Sequence, residues 1–451
     1  MNRRSFLAAA ASGPWALGCG PRPPAPPDIL VVIADDQSYT DVGCYGSREV
    51  ATPNIDRLAA EGMRFTRAFT ATAMCAPMRQ QMYTGLFPVR NGAYPNHSQI
   101  KPGIKTWPAY FQELGYRVGL AGKRHFGPAE SFPFEQLGGK DLDFGAIEEF
   151  VRRDARQPYC LLVCSNQPHG PYDKGDAARH PPERLEVPPY WVDTPLTRQT
   201  LSAYYAECEY LDSEVGRCME IVARGERADS TLTMYCSEQG CGFPFAKWTC
   251  YDLGLREAVV VRWPGRVAAG SETAAMVQGV DWLPTLLEAA GGAVPGGLDG
   301  RSALGVLEGR AQRHHQAVYG VHTTRGIING SECFPIRSIR TETHKLILNL
   351  SPETKFSNAV TSEKNGNYWD TWVEKAATDD RARRIVNRYL WRPPVEFYDI
   401  AADPFEQNNL AEAPEHRRTI ESLREQLAVW MEQQGDRGVA TELLAWARPR
   451  N

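Results

Sequence analysis

Short, continuously apolar runs alternate with amphipathic stretches through most of the chain. Such runs are typical of strands buried on both faces of a parallel sheet. They lie at residues 28–34, 118–121, 160–165 and 231–237. Residues 198–223 follow a helical period, and shorter helices are predicted to begin at Thr52 and to end at Gly115. Strands that alternate with helices predict an α/β fold, with a large, mostly parallel sheet sandwiched by helices.

The pattern changes after about residue 310. Two segments, 334–350 and 395–400, predict antiparallel strands, and residues 418–434 predict a closing helix. A chain of 451 residues that is 42% hydrophobic can bury more than one core. We therefore expect a catalytic domain over residues 28–312 and a smaller C-terminal α+β domain over residues 313–451.

The first 19 residues are typical of an export signal rather than of the fold. Arg3-Arg4 precedes a short apolar run, as in twin-arginine signals. The sequence Ala16-Leu17-Gly18-Cys19 resembles a lipobox, so we expect an exported, periplasmic or cell-surface protein that is membrane-anchored through a lipidated Cys19. Simple cleavage is the alternative to lipidation. Residues 20–27 form a Pro-rich linker, and a disordered tail is the alternative reading of the whole segment.

Net charge and cysteine content bear on the class of partner, on disulfide pairing and on zinc binding. A net charge of −4 does not favour nucleic acid as a partner. When Cys19 and Cys75 are set aside from the 11 cysteines, an odd number remains, so they cannot all pair internally. No Cys-x-x-Cys spacing indicates a zinc site.

Polar side chains follow each of the buried strands at the point where the strand ends. Ligands of open α/β sheets bind outside these carboxyl ends. The residues are Asp35, Asp36, Lys123, His125, His169, Glu238 and Gln239. Singly, an Asp pair is usually a solvated turn or a helix cap, a lysine is exposed and a histidine is structural. Together they predict one site.

The chemistry of these residues indicates two tasks. Carboxylates with an amide oxygen are typical ligands of a hard cation, Ca²⁺ or Mg²⁺, rather than of zinc. A lysine and two histidines at the same edge favour the binding of an anionic group and proton transfer.

A candidate nucleophile lies in the run Cys75-Ala76-Pro77-Met78-Arg79. Pro77 fits the first turn of a helix that Gly85 can end, so Cys75 would lie at a helix N-terminus. A buried structural cysteine and an ordinary thiolate nucleophile are the alternatives. A soft thiolate matches a hard-cation site poorly.

The spacing Cys-x-Pro-x-Arg resembles the sulfatase signature in which the cysteine is oxidised to formylglycine (3-oxoalanine), and the similarity continues through Met82-Tyr83-Thr84-Gly85. The strand-end residues, with Lys247, Arg256 and Trp263-Pro264-Gly265 downstream, follow the family's order. The chain is identified as a member of the type I, formylglycine-dependent sulfatases, which implies an alkaline-phosphatase-like sulfatase fold. Two departures are Met78 where the family usually has Ser, and Glu238-Gln239 where it usually has Asp-Asn.

The resemblance implies a mechanism and residue roles. Hydrated formylglycine attacks sulfur through one hydroxyl, and the other hydroxyl drives elimination of sulfate. The implied ligands of Ca²⁺, which is favoured over Mg²⁺, are Asp35, Asp36, Glu238, Gln239 and the modified Cys75. The other implied roles are orientation of the hydrate by Arg79, sulfate binding by Lys123 and Lys247, assistance of hemiacetal collapse by His125 and protonation of the leaving atom by His169. A formylglycine-generating enzyme is the implied partner, and it must act before the chain folds and is exported.

Further stretches are similar to the N-sulfoglucosamine sulfohydrolases (sulfamidases) within this family. They are residues 91–94, 122–130 and 334–338. The similarity implies an N-sulfated glucosamine of heparan type as substrate, with His97, His322 and Arg337 as candidate contacts. The alternatives are an O-sulfatase acting on another sulfated carbohydrate or aryl sulfate, a phosphonate or phosphodiester hydrolase of the same superfamily, and a lipid-anchored glycan-binding protein with unmodified Cys75.

Overall fold

The computed structural model describes residues 26–361 and 368–450. The predicted export signal, the lipidated Cys19 and most of the Pro-rich linker lie outside the described residues. Among the described residues, no helix combines the length and the apolarity needed to cross a bilayer.

The described strands form a nine-stranded sheet, β1–β9, and a four-stranded sheet, β10–β13. The strands are β1 Ile29–Ile33, β2 Met63–Phe69, β3 Arg117–Gly122, β4 Glu135–Leu137, β5 Tyr159–Cys164, β6 Leu232–Cys236, β7 Arg256–Arg262, β8 Ser271–Thr273, β9 Val277–Gln278, β10 Ala317–His322, β11 Ile336–Thr341, β12 His344–Asn349 and β13 Val395–Asp399.

Helices cover both sheets. They are α1 Pro53–Ala60, α2 Cys75–Thr84, α3 Pro88–Asn91, α4 Trp107–Glu113, α5 Phe144–Arg152, α6 Pro195–Ala223, α7 Asp252–Leu255, α8 Trp282–Ala289, α9 Leu304–Leu307, α10 Tyr368–Ala376, α11 Asp380–Leu390, α12 Arg417–Gln434 and α13 Val439–Leu444.

The large sheet is mostly parallel, with the order β4-β3-β5-β1-β6-β7-β2-β8 and with β9 beside β2. The pairs β1–β5, β1–β6 and β3–β5 are parallel, whereas β7 pairs antiparallel with β2 and β6. The small sheet is antiparallel throughout. The predicted fold class is therefore confirmed.

The central strand β1 explains why the large sheet is buried on both faces. Ile29, Val31 and Ile33 pack into the core beneath α2, α4 and α8, while Leu30 and Val32 pack into the core beneath α1, α5 and α6. Because side chains alternate across a strand, an unbroken apolar run needs cover on both sides.

The register of the parallel strands positions the site. Ile33 at the end of β1 pairs with Cys164 at the end of β5 and with Cys236 at the end of β6. Gly122 at the end of β3 also pairs with Cys164. The residues that follow these four strands therefore leave the sheet at the same level.

Two features differ from the expectation from sequence. Thr52 precedes α1 but makes no side-chain cap bond there; its hydroxyl accepts from the Gly43 N–H and donates to Asp56. Strands β2, β4, β8, β9 and β10 lie outside the segments predicted as strands; in β2 the charged positions Arg64 and Arg67 interrupt the apolar pattern. The register of β2 against β7 shifts between Phe65 and Ala68. All ten described cysteines are free thiols.

A buried ionic network joins the second sheet to the first. The Lys345 ammonium on β12 donates to Asp252 over 2.8 Å and lies 3.2 Å from Glu406. The guanidinium of Arg340 on β11 also donates to Asp252, which precedes β7 in the chain. These side chains are at most 5% exposed, so none of the charges is hydrated.

We expect Lys345→Met to lower the free energy of unfolding by about 3–5 kcal/mol, because it leaves a buried carboxylate without its cation. Denaturant titration followed by circular dichroism measures the change. Arg152→Met is the control, since Arg152 pairs with Glu148 on the surface of α5 and should cost less than about 1 kcal/mol. Equal losses in the two variants would contradict the role of the network.

Candidate active site

The core of the site is a group of buried acidic side chains around Cys75. Asp35 and Asp36 follow β1, Glu238 follows β6, and Cys75 is the first residue of α2. One ligand atom from each of the four lies within 4.8 Å of the others. The Cys75 Sγ is 3.5 Å from Asp35 Oδ1 and 3.8 Å from Asp36 Oδ1.

Each carboxylate is paired with a buried cation. The Arg79 guanidinium donates to both oxygens of Glu238, over 2.9 and 3.0 Å. Arg79 is one helical turn after Cys75, so both side chains leave the same face of α2. The ammonium of Lys123 contacts Asp35, and that of Lys247 contacts Asp36.

These pairs set the protonation of the site. Although burial opposes ionisation, the Lys123 ammonium holds the pKa of Asp35 well below its usual range. Burial raises the pKa of Glu238 in spite of Arg79. Burial, followed by the negative charge of Glu238, raises the pKa of the Cys75 thiol to about 12. The protein groups alone therefore keep an unmodified thiol protonated at neutral pH.

The donor set fits a hard cation. The amide nitrogen of Gln239 lies 2.5 Å from Asp36 Oδ1 and 3.3 Å from Cys75 Sγ, while its oxygen is buried without a hydrogen-bond partner in the described part of the chain. Turning the amide over would face oxygen towards carboxylate, which is favourable only with a cation between them. Three carboxylates and an amide oxygen match Ca²⁺ or Mg²⁺.

Two histidines form a pair beside the carboxylates. His125 Nε2 is 2.8 Å from His97 Nδ1, and the ring centroids are 4.7 Å apart. Burial, followed by the charge of Lys123, lowers the pKa of His125 to about 2, so its imidazole is neutral. The other nitrogen of His125, Nδ1, is buried and has no partner among the described residues.

His169 is more accessible. Its side chain is 43% exposed, and its Nε2 lies 3.6 Å from Asp36 Oδ2. Its Nδ1 lies 2.7 Å from the carbonyl oxygen of Gly170, which requires that Nδ1 carries the proton of this bond.

A cleft of about 880 Å³ opens over the site. Its size suits a sugar-sized ligand. Its lining includes, beyond the predicted residues, Arg124, Lys140, Asp141, Asn166, Asp173 and Lys174. These were missed as site residues because they lie in loops, where no periodicity or motif marks them. The charge of the whole lining is mixed, with four cations, Lys123, Arg124, Lys140 and Lys174, and three carboxylates, Asp35, Asp141 and Asp173.

The remaining predicted contacts do not line the cleft. His322 ends β10 and is 1% exposed. Arg337 on β11 is completely buried, donates to both oxygens of Asp436, and donates to the His322 carbonyl over 2.9 Å. Because its donors are used inside the protein, this geometry does not support the predicted contact between Arg337 and substrate; the side chain instead ties β11 to the segment after α12.

A sulfatase family model matches residues 27–160 and 142–293, which together span more than half of the chain. The chain belongs to the sulfatase family. A second model, for the C-terminal part of N-sulphoglucosamine sulphohydrolase, matches residues 241–358 of this sulfatase. The predicted family membership is thus confirmed, and the protein is an enzyme that hydrolyses sulfate esters or sulfamates.

Individual relatives agree with the family models. An ulvan-active sulfatase of Formosa agariphila is 33% identical over 421 residues, covering 91% of this chain and 81% of that protein. Human N-sulphoglucosamine sulphohydrolase is 26% identical, covering 90% of each chain. A structure solved with its substrate D-glucosamine-2-N,6-O-disulfate has a TM-score of 0.69 and 21% identity, covering 91% of this chain and 99% of that one, and so shares the fold.

We expect Ca²⁺ to raise the thermal midpoint of the wild-type enzyme, since a ligand at one hundred times its Kd adds about 2.7 kcal/mol. Asp35→Asn should lose most of this gain, because it removes a charged ligand. Differential scanning fluorimetry after chelation and readdition measures both. The control is Asp141→Asn, which lines the cleft outside the carboxylate cluster; an unchanged Ca²⁺ response in Asp35→Asn would argue against this site.

Proposed function

We propose that this sulfatase removes sulfate from a sulfated glycan through a formylglycine formed at Cys75, with an N-sulfated glucosamine of heparan type as the substrate. The observation that carries the proposal is the burial of Cys75 among three carboxylates and three cations, next to a cleft that Asp35 and Lys123 line. The relationship to human N-sulphoglucosamine sulphohydrolase supports the choice of sugar.

The surroundings of Cys75 argue against an ordinary thiolate nucleophile. The pKa of the thiol is about 12, because of burial first and Glu238 second, and a soft thiolate suits a hard-cation site poorly. An aldehyde hydrate at this position would supply one hydroxyl for attack on sulfur and another for release of sulfate. Covalent catalysis with this built-in release needs no water to cleave a stable sulfate ester of the enzyme.

The carboxylates would hold the metal, and the cations would hold the substrate. Asp35, Asp36, Glu238 and Gln239 would bind Ca²⁺, whose charge would polarise the sulfate oxygens. Arg79, fixed by Glu238, presents rigid donors next to position 75. We assign sulfate binding to the ammonium groups of Lys123 and Lys247, which would exchange carboxylate contacts for sulfate oxygens.

We assign opposite proton transfers to the buried His125 and the exposed His169. We assign assistance of hemiacetal collapse to His125, whose neutral imidazole is held by His97 and whose Nδ1 has no partner among the described residues. His169 is exposed in the cleft with Nε2 directed towards Asp36. Because Nδ1 keeps its proton on the Gly170 carbonyl, Nε2 can donate a proton only from the imidazolium form. We assign that form as the donor to the leaving nitrogen of a sulfamate or to the leaving oxygen of an ester.

A second candidate is an O-sulfatase that acts on another sulfated carbohydrate or on an aryl sulfate. It is favoured by the 33% identity to an ulvan-active sulfatase, which exceeds the identity to the human sulfamidase. Both candidates share the same nucleophile and metal ligands, so only the sugar and the atom that bears the sulfate separate them.

We also propose that the protein is exported, on the basis of Arg3-Arg4 and the apolar run that follows. Twin-arginine export carries folded proteins, so the formylglycine-generating enzyme would have to act on Cys75 beforehand. Lipidation of Cys19 would then anchor the enzyme at the membrane, close to extracellular glycans.

The tryptic peptide of residues 68–79, taken from active enzyme of the native host, should carry an aldehyde or its hydrate in place of the Cys75 thiol. Mass spectrometry of the peptide detects the change. Cys75→Ala should lower kcat at least about 10³-fold, since it removes the nucleophile, whereas Cys44→Ala, outside the site, should not. Full activity with an intact Cys75 thiol would refute the proposed nucleophile.

Substrate choice is tested with four compounds: N-sulfated glucosamine, an O-sulfated N-acetylglucosamine, an aryl sulfate and an aryl phosphodiester. We expect kcat/KM to be at least about tenfold higher for the N-sulfated sugar, a difference of about 1.4 kcal/mol in transition-state binding. A preference for the O-sulfated sugar would support the second candidate. A preference for the phosphodiester would overturn both.

A further inference from the structure

The C-terminal segment lies against the loop that carries His97. The Gln99 N–H donates to the Pro449 carbonyl over 3.1 Å, and the Gln99 side-chain amide donates to the Arg450 carbonyl over 2.7 Å. Ser98 and Arg450 form an antiparallel bridge. Because His97 lines the cleft and contacts His125, the last residues of the chain lie at the cleft rim.

An exposed aromatic side chain lies on this segment. Trp446 is 58% exposed, and the Arg325 guanidinium lies 3.5 Å from its ring centroid. The carbonyl of Arg325 accepts from the Asn96 N–H over 3.0 Å, so Arg325 is held by the residue that precedes His97. Trp446, Arg325 and the cleft are therefore connected through one loop.

The charge around Trp446 is positive. Arg450 is exposed, and its charge, after burial, is the next contributor to the lowered pKa of His97. Arg448 donates to the Gln99 carbonyl over 3.1 Å in the same segment. The acidic residue Glu442, on α13 nearby in the chain, is 2% exposed, and one of its carboxylate oxygens accepts from the N–H of Thr324.

Such a surface fits one class of ligand. One face of the Trp446 indole lies under the Arg325 guanidinium, and the exposed remainder of the ring can pack against the C–H face of a sugar ring. Arginine matches carboxylate and sulfate oxygens with paired donors. Trp446 contacts Arg325, and Arg450 lies on the same segment beside the loop that carries the cleft residue His97. An aromatic ring and two arginines near a cleft for a sulfated sugar are complementary to the next sugar of an anionic glycan.

We propose that Trp446, Arg325 and Arg450 form a second carbohydrate subsite, which binds the sugar next to the one that loses its sulfate. The ring of that sugar would lie on Trp446, and its carboxylate or sulfate would contact the arginines. This inference rests on the proposed function, since it takes the occupant of the cleft to be part of a glycan chain. It makes the enzyme selective for oligosaccharides over free sugars.

The test compares two substrates: free N-sulfoglucosamine and a disaccharide in which N-sulfoglucosamine is linked to a uronic acid. We expect Trp446→Ala and Arg325→Gln each to lower kcat/KM for the disaccharide roughly tenfold, through KM, with the value for the monosaccharide changed less than about twofold. Trp391→Ala is the matched control, because Trp391 is 54% exposed and follows α11; it should change neither value.

Binding separates failure of the subsite from failure of the proposed function. If the wild-type enzyme cleaves neither compound, calorimetry with a heparan-type tetrasaccharide still compares wild type, Trp446→Ala and Trp391→Ala. Weaker binding in Trp446→Ala alone supports the subsite. An equal loss on both substrates, no loss on the disaccharide, or a wild-type dimer that Trp446→Ala converts to monomer would each overturn it, the last by making the patch a self-association surface.

Discussion

Three buried carboxylates repel one another, and the arrangement of the rest of the site depends on how this repulsion is offset. Asp35, Asp36 and Glu238 are each at most 2% exposed and lie together around Cys75. Charges removed from water are costly unless they are paired and hydrogen-bonded. Arg79, Lys123 and Lys247 provide that pairing, and Lys123 also lines the cleft.

The backbone around this cluster adopts conformations that non-glycine residues seldom take. Asp36, His97 and His125 all have positive φ, at 67°, 58° and 48°. Such conformations cost of order 1–3 kcal/mol each and persist where surrounding structure imposes them. The parallel strands β1 and β3 fix the start of the loops that carry Asp36 and His125, whereas the loop of His97 runs between α3 and α4.

The small sheet serves the site indirectly. The Lys345–Asp252 pair joins it to the large sheet, and the Arg337–Asp436 pair anchors the turn between α12 and α13. The segment that follows α13 then reaches back to Ser98 and Gln99. Interactions of the small sheet thus position the segment that carries Trp446 and Arg450. If this segment forms the proposed subsite, a change far from Cys75 would alter which glycan chains bind.

The sequence by itself determined the central, doubly buried strands and the order of the polar residues that follow them. Apolar runs such as residues 28–34 identify doubly buried strands, and the polar residues after them can be assigned to one sheet edge because parallel strands end at the same level. Cys75 and Arg79 are four residues apart, so a helical period places them on one face. Tertiary structure alone decided the pairings: Arg79 with Glu238 across 159 residues, His125 with His97, and Arg337 with Asp436 instead of substrate. Tertiary structure also brought Lys140 and Lys174 from loops into the cleft. It shifted the register of β2 against β7 between Phe65 and Ala68. Periodicity indicates which face of one element is buried. These contacts instead depend on how segments far apart in the sequence pack together, and a local pattern carries no information about that packing.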